Sequence, residues 1–153
     1  MAMNEYVQLE AKKIFDNKSY EFPKNQAMVA AWIAAHFKGE GLKIFDMSKH
    51  GSICDCSVLV TALNPTQARS MADEISANIK HLGADLYSYE GYESADWILL
   101  DFGDTIVHIF QLAARDVYDL DLVFAKHPQI QIPEEFYFGK PAESKKDDLK
   151  GYF

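Results

Sequence analysis

Two arginines, Arg69 and Arg115, are all that the 153 residues contain. The net charge is −8, and the lysine clusters are short and terminal. The chain therefore lacks the basic patch expected of a direct nucleic-acid binder. It also lacks any apolar run near the roughly 18 residues of a membrane span. Its opening, MAMNEYVQLEAKK, has no apolar signal core and carries acids without arginine, unlike an organellar transit peptide. A cytoplasmic protein without membrane attachment is expected. Cysteine occurs only as Cys54 and Cys56. Alternate residues of a strand stand about 7 Å apart, a poor geometry for a disulfide. Two free thiols in a reducing compartment are expected.

What remains is ordinary globular material, 48% apolar and 25% charged, with no internal repeat. The length suits one domain with a sizeable core. Val7, Ala11, Ile14 and Phe15 recur at helical spacing in an N-terminal extension, residues 1–24, that closes at Pro23. Apolar residues dominate from Gln26 to Phe37 and predict a buried helix ended by Gly39 and Gly41. Leu42–Met47 and Ser57–Ala62 read as strands. Asn64 as N-cap and Pro65 at the first helical position open a helix to about His81, with Ala68, Met71, Ala72, Ile75 and Ile79 on one face and Gly83 as its stop. Leu86–Tyr89 is a third strand. Residues 126–153, with three prolines and the charged run Glu143–Asp148, read as a loosely packed tail. The class is α/β or α+β: a single mixed β-sheet of about five strands flanked by helices.

The most informative block is Asp96–Phe124, DWILLDFGDTIVHIFQLAARDVYDLDLVF. Two β-branched and aromatic runs around a short glycine turn predict a β-hairpin. A two-residue turn at Phe102-Gly103 pairs Asp101 with Asp104, Leu99 with Ile106 and Trp97 with His108; a three-residue loop shifts the pairing by one. In both, Trp97, Leu99 and Asp101 share a face. After the hairpin come Arg115, Tyr118 and Leu120.

This pattern resembles the ribosomal silencing factor, or Iojap, family, whose hallmark is W-x-L-x-D-x-G-D-x-x-V-H-x-F followed by R-x-x-Y-x-L-E. The resemblance extends upstream to Ile53-Cys54-Asp55 with Val58-Leu59-Val60, to Ser70–Ile75, and to Glu90-Gly91. It runs from about Ala27 to Phe124 and implies a family domain over residues 25–125. Four features depart from the pattern. Leu63-Asn64-Pro65 replaces G-x-S, Asp55-Cys56-Ser57 replaces D-Y-F, and Asp121-Leu122-Val123-Phe124 replaces E-x-L-W; both ends also extend beyond it.

The resemblance implies a nucleotidyltransferase-like fold carrying a non-enzymatic translation repressor without cofactor. It implies binding to the large ribosomal subunit through ribosomal protein fourteen, steric blocking of subunit joining, and a possible homodimer in the free state. An acidic protein suits docking to a basic ribosomal protein rather than sequence-specific contact with nucleic acid. The expected partner-binding residues are Trp97, Leu99, Asp101, Asp104, His108, Arg115 and Tyr118; tryptophan and arginine are residue types that anchor interfaces.

Each of these residues has a plainer reading. Trp97 and His108 could be core. Asp101, Asp104 and His108 could be metal ligands, but turn aspartates usually bond backbone amides and no second His or Cys stands at ligand spacing. Arg115 is either an exposed i,i+4 partner of Asp119 or, with Tyr118, an anchor. Tyr87, Tyr89 and Tyr92 read as a packing row. Nucleotidyl transfer would need a second carboxylate beside Asp55, where Ser57 stands. An interaction module with a different partner is the other rival.

Overall fold

The computed structural model describes residues 4–138. Its elements run α1 (Glu5–Phe15), α2 (Lys24–His36), β1 (Glu40–Asp46), β2 (Cys56–Ala62), α3 (Pro65–His81), β3 (Ser88–Glu90), β4 (Trp97–Asp101), β5 (Thr105–Gln111), α4 (Leu112–Tyr118), α5 (Leu120–Val123), β6 (Gln129–Ile130) and α6 (Glu135–Phe138). Six strands form one mixed sheet in the order β3-β4-β5-β2-β1-β6. Only β2 and β5 pair in parallel. These two strands are central, and every residue of β2 is buried. A strand covered on both faces must be apolar throughout, as CSVLVTA nearly is.

Local chemistry explains the helices. The Asn64 side chain accepts the Gln67 amide at 2.8 Å, and Pro65 occupies a first-turn position whose missing N–H costs nothing. The predicted face, Ala68, Met71, Ala72, Ile75 and Ile79, is fully buried. Helix α2 starts at Lys24, two residues before the predicted start, and buries all ten residues from Asn25 to Ala34. Such a helix is apolar all round because it is enclosed all round: α1, α3 and α6 pack on it, and its inner side meets β1 and β2.

The sheet therefore has two cores. On the face under α1–α3 lie Val58, Val60, Ile98, Leu100, Val107 and Ile109. On the other face a smaller cluster, Phe45, Leu59, Ile106 and Phe110, is covered by Ala114, Leu120 and Phe124 from the α4–α5 segment. Cys54 joins the second core and Cys56 the first; both thiols are free. Burial raises both, and pushes Cys56 up to about 12.

Two expectations change. The sheet has a sixth strand, because Gln129 and Ile130 pair with Phe45 and Ile44. Residues 126–138 are correspondingly not loose, since Phe136 is buried and α6 packs on α2. The remainder of the predicted tail, residues 139–153 with the Glu143–Asp148 run, lies outside the described residues.

Candidate partner-binding face

The hairpin closes one step later than either sequence register allowed. Trp97 stands opposite Phe110, Leu99 opposite His108 and Asp101 opposite Ile106. The Phe102 amide donates to the Thr105 carbonyl at 2.9 Å, so the two loop residues are Gly103 and Asp104, not Phe102 and Gly103. Glycine at the first loop position, here with φ +89°, is what a type II′ turn requires. A shift of two residues preserves the faces, so Trp97, Leu99 and Asp101 still share a side with Ile106, His108 and Phe110.

Gly91, in the Glu90-Gly91 pair before the hairpin, has a backbone reason for its identity. Its φ is +81°, and a Cβ there would overlap the carbonyl of Trp97. The chain must pass close beside the first residue of β4. Gly91→Ala is expected to cost about 2–3 kcal/mol of stability and to displace Trp97. Denaturant unfolding checks the first, and the change in Trp97 emission checks the second.

Trp97 is half-buried. Its ring lies 5.1 Å from Phe110 and 4.7 Å from Tyr118, centroid to centroid. Its indole N–H donates to His108 Nδ1 at 3.1 Å. That bond makes Nδ1 the acceptor and leaves the imidazole proton on Nε2. His108 is buried, and desolvation alone lowers its pKa to about 4. An unfolded histidine takes its proton near 6.5. The unfolded state thus binds more protons between those values, so stability present at neutral pH declines as pH falls from about 6.5 toward 4. His108 orients Trp97 and offers a partner little surface of its own.

Arg115 is buried as well, and of its two readings the pair with Asp119 does not form. Asp119 ends α4 in the left-handed conformation, φ +46°, and the chain turns back. The guanidinium then meets Asp121 in a fork, Nε to Oδ2 and Nη2 to Oδ1, both at 3.0 Å. Its Nη1 donates to Thr61 Oγ1 at 3.0 Å, and Lys43 Nζ reaches Asp121 at 2.8 Å. Hydrogen bonding from Arg115 is the main reason the Asp121 carboxyl lies far below the usual range. Gly41 passes beneath the fork: a Cβ there would sit 2.9 Å from Nη1. Arg115 therefore ties α4–α5 to the sheet. Sequence reasoning missed Thr61 and Asp121 as its partners, and Lys43 as the second cation on Asp121. The only available signal was the R-x-x-Y-x-L-E spacing, which places the acid six residues on.

The remaining site residues separate into two groups. Leu99 lies half-buried opposite His108 and packs, like Trp97, on the second core. Asp101 and Asp104 stand at the other end of the hairpin, roughly 13 Å along the strand from Trp97. Asp101 accepts the Gly103 amide at 2.8 Å, as a turn aspartate does. The Asp104 side chain is exposed, while its carbonyl accepts the amides of Asp55 and Cys56. Ser57 is buried against Cys54, so the position needing a second carboxylate for nucleotidyl transfer faces the interior. Tyr89 and Tyr92 donate to the two oxygens of Asp73, and exposed Tyr87 covers Gly103.

Next to Trp97, Tyr118 is more than half exposed, and so are Leu63, Leu112 and Val117. With Glu40 and Asp96 they line an open groove of ≈ 620 Å³ at the C-terminal ends of β2 and β5. Large exposed apolar side chains rimmed by acids mark a contact surface.

Comparison with known proteins agrees with the hairpin motif. The family described as "Ribosomal silencing factor during starvation" matches residues 20–150. The chain belongs to the ribosomal silencing factor family. Among relatives, the ribosomal silencing factor RsfS of Haemophilus influenzae is 36% identical over 88 residues, 58% of this chain and 86% of that one. That of Chromobacterium violaceum is 32% identical over 87 residues, 57% of this chain and 71% of that one. A crystal structure of a protein from Chromobacterium violaceum superposes with a TM-score of 0.60 at 30% identity, covering 71% of this chain and 89% of its own. One from Bacillus halodurans gives 0.59 at 28%, covering 70% and 95%. The silencing-factor match starts at residue 20, so α1 precedes it, while β6 and α6 fall inside it.

Proposed function

We propose that this protein silences translation by binding the large ribosomal subunit through ribosomal protein fourteen and keeping the small subunit from joining. In this reading it acts in the cytoplasm by occupancy, without catalysis or cofactor, and residues 25–125 carry the activity. The observation that supports it most is the Trp97–Tyr118 surface, where exposed apolar side chains beside Glu40 and Asp96 suit a basic protein partner. Trp97, Leu99 and Tyr118 supply apolar contact. Asp101 and Asp104 meet basic side chains farther along the hairpin. His108 and Arg115 contribute from behind, by fixing the Trp97 ring and the α4–α5 segment. The same face would serve a homodimer in the free state, so that subunit binding and self-association compete. Among the described residues no helix is long and apolar enough to cross a membrane, and no group of three or more His, Cys, Asp or Glu is placed to hold a metal.

Sucrose-gradient sedimentation of the tagged protein with isolated subunits tests the proposal. The expected result is comigration with free large subunits and scarcity on assembled ribosomes. Equal occupancy of joined particles would sink the anti-joining mechanism.

A further inference from the structure

The opposite side of the molecule carries a second cavity, ≈ 360 Å³, between α1, the C-terminal end of α2, and α6. Tyr6, Trp32 and His36 bring a cluster of aromatic rings to it, with Phe136 and Tyr137 of α6 beside them. Trp32 and His36 stack at 5.1 Å and 14°, and Tyr6 leans over both at 6.0 and 5.9 Å. Two carboxylates, Glu10 and Glu135, enter from different helices. Aromatic faces and carboxylates together attract an organic cation, the rings through their quadrupoles and the acids through charge. The chain satisfies this preference elsewhere with its own side chains, placing Lys24 over Tyr20 at 5.7 Å and Arg69 over Tyr92 at 5.8 Å. Among the described residues no such cation lies over Tyr6 or Trp32. Glu10 has only a 3.4 Å contact with the exposed Lys13. Among the described residues that line the cavity, the one opposing charge is Lys38, exposed and in the left-handed conformation at φ +67°.

We infer that this cavity is a second docking site, which takes a cationic side chain, arginine above all, from a basic protein segment. A planar guanidinium can stack on the exposed Tyr6 ring, beside the buried edge of Trp32, while its own edge meets the two carboxylates. The cavity lies beyond the helices that cover the first core, and the Trp97 face borders the other, so both can be occupied together. This site is independent of the proposed ribosome contact.

The test is a titration of the isotope-labelled full chain with N-acetyl-arginine amide, followed by NMR. Its neutral isostere, N-acetyl-citrulline amide, is the control at matched ionic strength. A saturable shift of the Trp32 indole N–H is expected with arginine, with the Trp97 indole unmoved. Glu135→Gln and Glu10→Gln should each weaken binding about threefold, the scale of an exposed cation–aromatic or ion-pair contact. Lys38→Asn removes the opposing charge with a residue that tolerates left-handed backbone, and should tighten binding by a similar factor. Equal shifts with citrulline would show a nonspecific apolar pocket and overturn the inference. So would the absence of any saturable Trp32 shift in protein whose spectrum is otherwise native.

Discussion

Arg115→Ala is expected to lower stability by about 3 kcal/mol, which for a chain of this size is a fall in melting temperature of roughly 6–12 °C. The side chain is buried, and its removal leaves the Asp121 carboxylate with only Lys43 and leaves Thr61 Oγ1 without its donor. Breaking one half of such a pair costs more than the pair contributes net, because a charge is stranded in a poorly solvated place. Replacing both partners with apolar residues, Arg115→Met with Asp121→Leu, is therefore expected to recover most of the loss. A thermal-melting cycle of the two single variants and the double measures this. Equal and additive losses would mean that the fork does not hold α4–α5 to the sheet.

The same fork gives a pH signature. The folded Asp121 carboxyl is depressed below its unfolded value, first through hydrogen bonding from Arg115. Its contribution is thus complete above the unfolded pKa of about 4 and is lost as pH falls further. Asp121→Asn should reduce the acid sensitivity below pH 4 while leaving intact the decline between about 6.5 and 4 that His108 causes.

Much of this architecture is legible from local rules. Asn64-Pro65 and the five-residue apolar stripe define α3 because cap chemistry and period 3.6 agree there. The hairpin itself is equally plain, but its register is not. Gly103 can serve as the second residue of one turn or the first of another, and the run Trp97–Phe110 alternates acceptably in both. Strand β6 has two residues, too few for any period, and exists because the edge of β1 is available to it. The Asp121 partnership depends on a non-glycine residue, Asp119, in the left-handed region, which no pattern rule anticipates. The family motif assigns one role to residues that the fold divides. Trp97 and Tyr118 reach the surface, His108 and Arg115 hold them from beneath, and Asp101 and Asp104 stand at the distant turn. The aromatic cavity was invisible for a different reason: Tyr6, Trp32 and Glu135 come from three helices far apart in sequence.

Trp97→Ala is expected to weaken binding to isolated large subunits by about 2 kcal/mol or more, roughly 30-fold, because a half-buried tryptophan against Tyr118 at the edge of an apolar groove has the make-up of an interface anchor. It should also cost stability, by about 2–3 kcal/mol rather than the 3–5 of a fully enclosed ring, since Trp97 packs on Phe110 and Tyr118 but is only half-buried. The two effects separate with Trp97→Phe. That variant keeps a ring against Phe110 but removes the donor to His108 Nδ1, leaving a buried acceptor unpaired at a cost of about 1–3 kcal/mol. If the indole surface makes the contact, Trp97→Phe retains more binding than Trp97→Ala while losing comparable stability. Asp101→Lys supplies the contrast at the other end of the hairpin. It forfeits the Gly103 turn bond, worth about 1 kcal/mol, but should mainly slow association and change its salt dependence. Binding and melting must be measured on the same preparations, below the melting point of every variant. Should all three melt early and yet bind normally once folded, the hairpin is scaffold, and the subunit contact belongs to the Leu112, Val117 and Tyr118 groove.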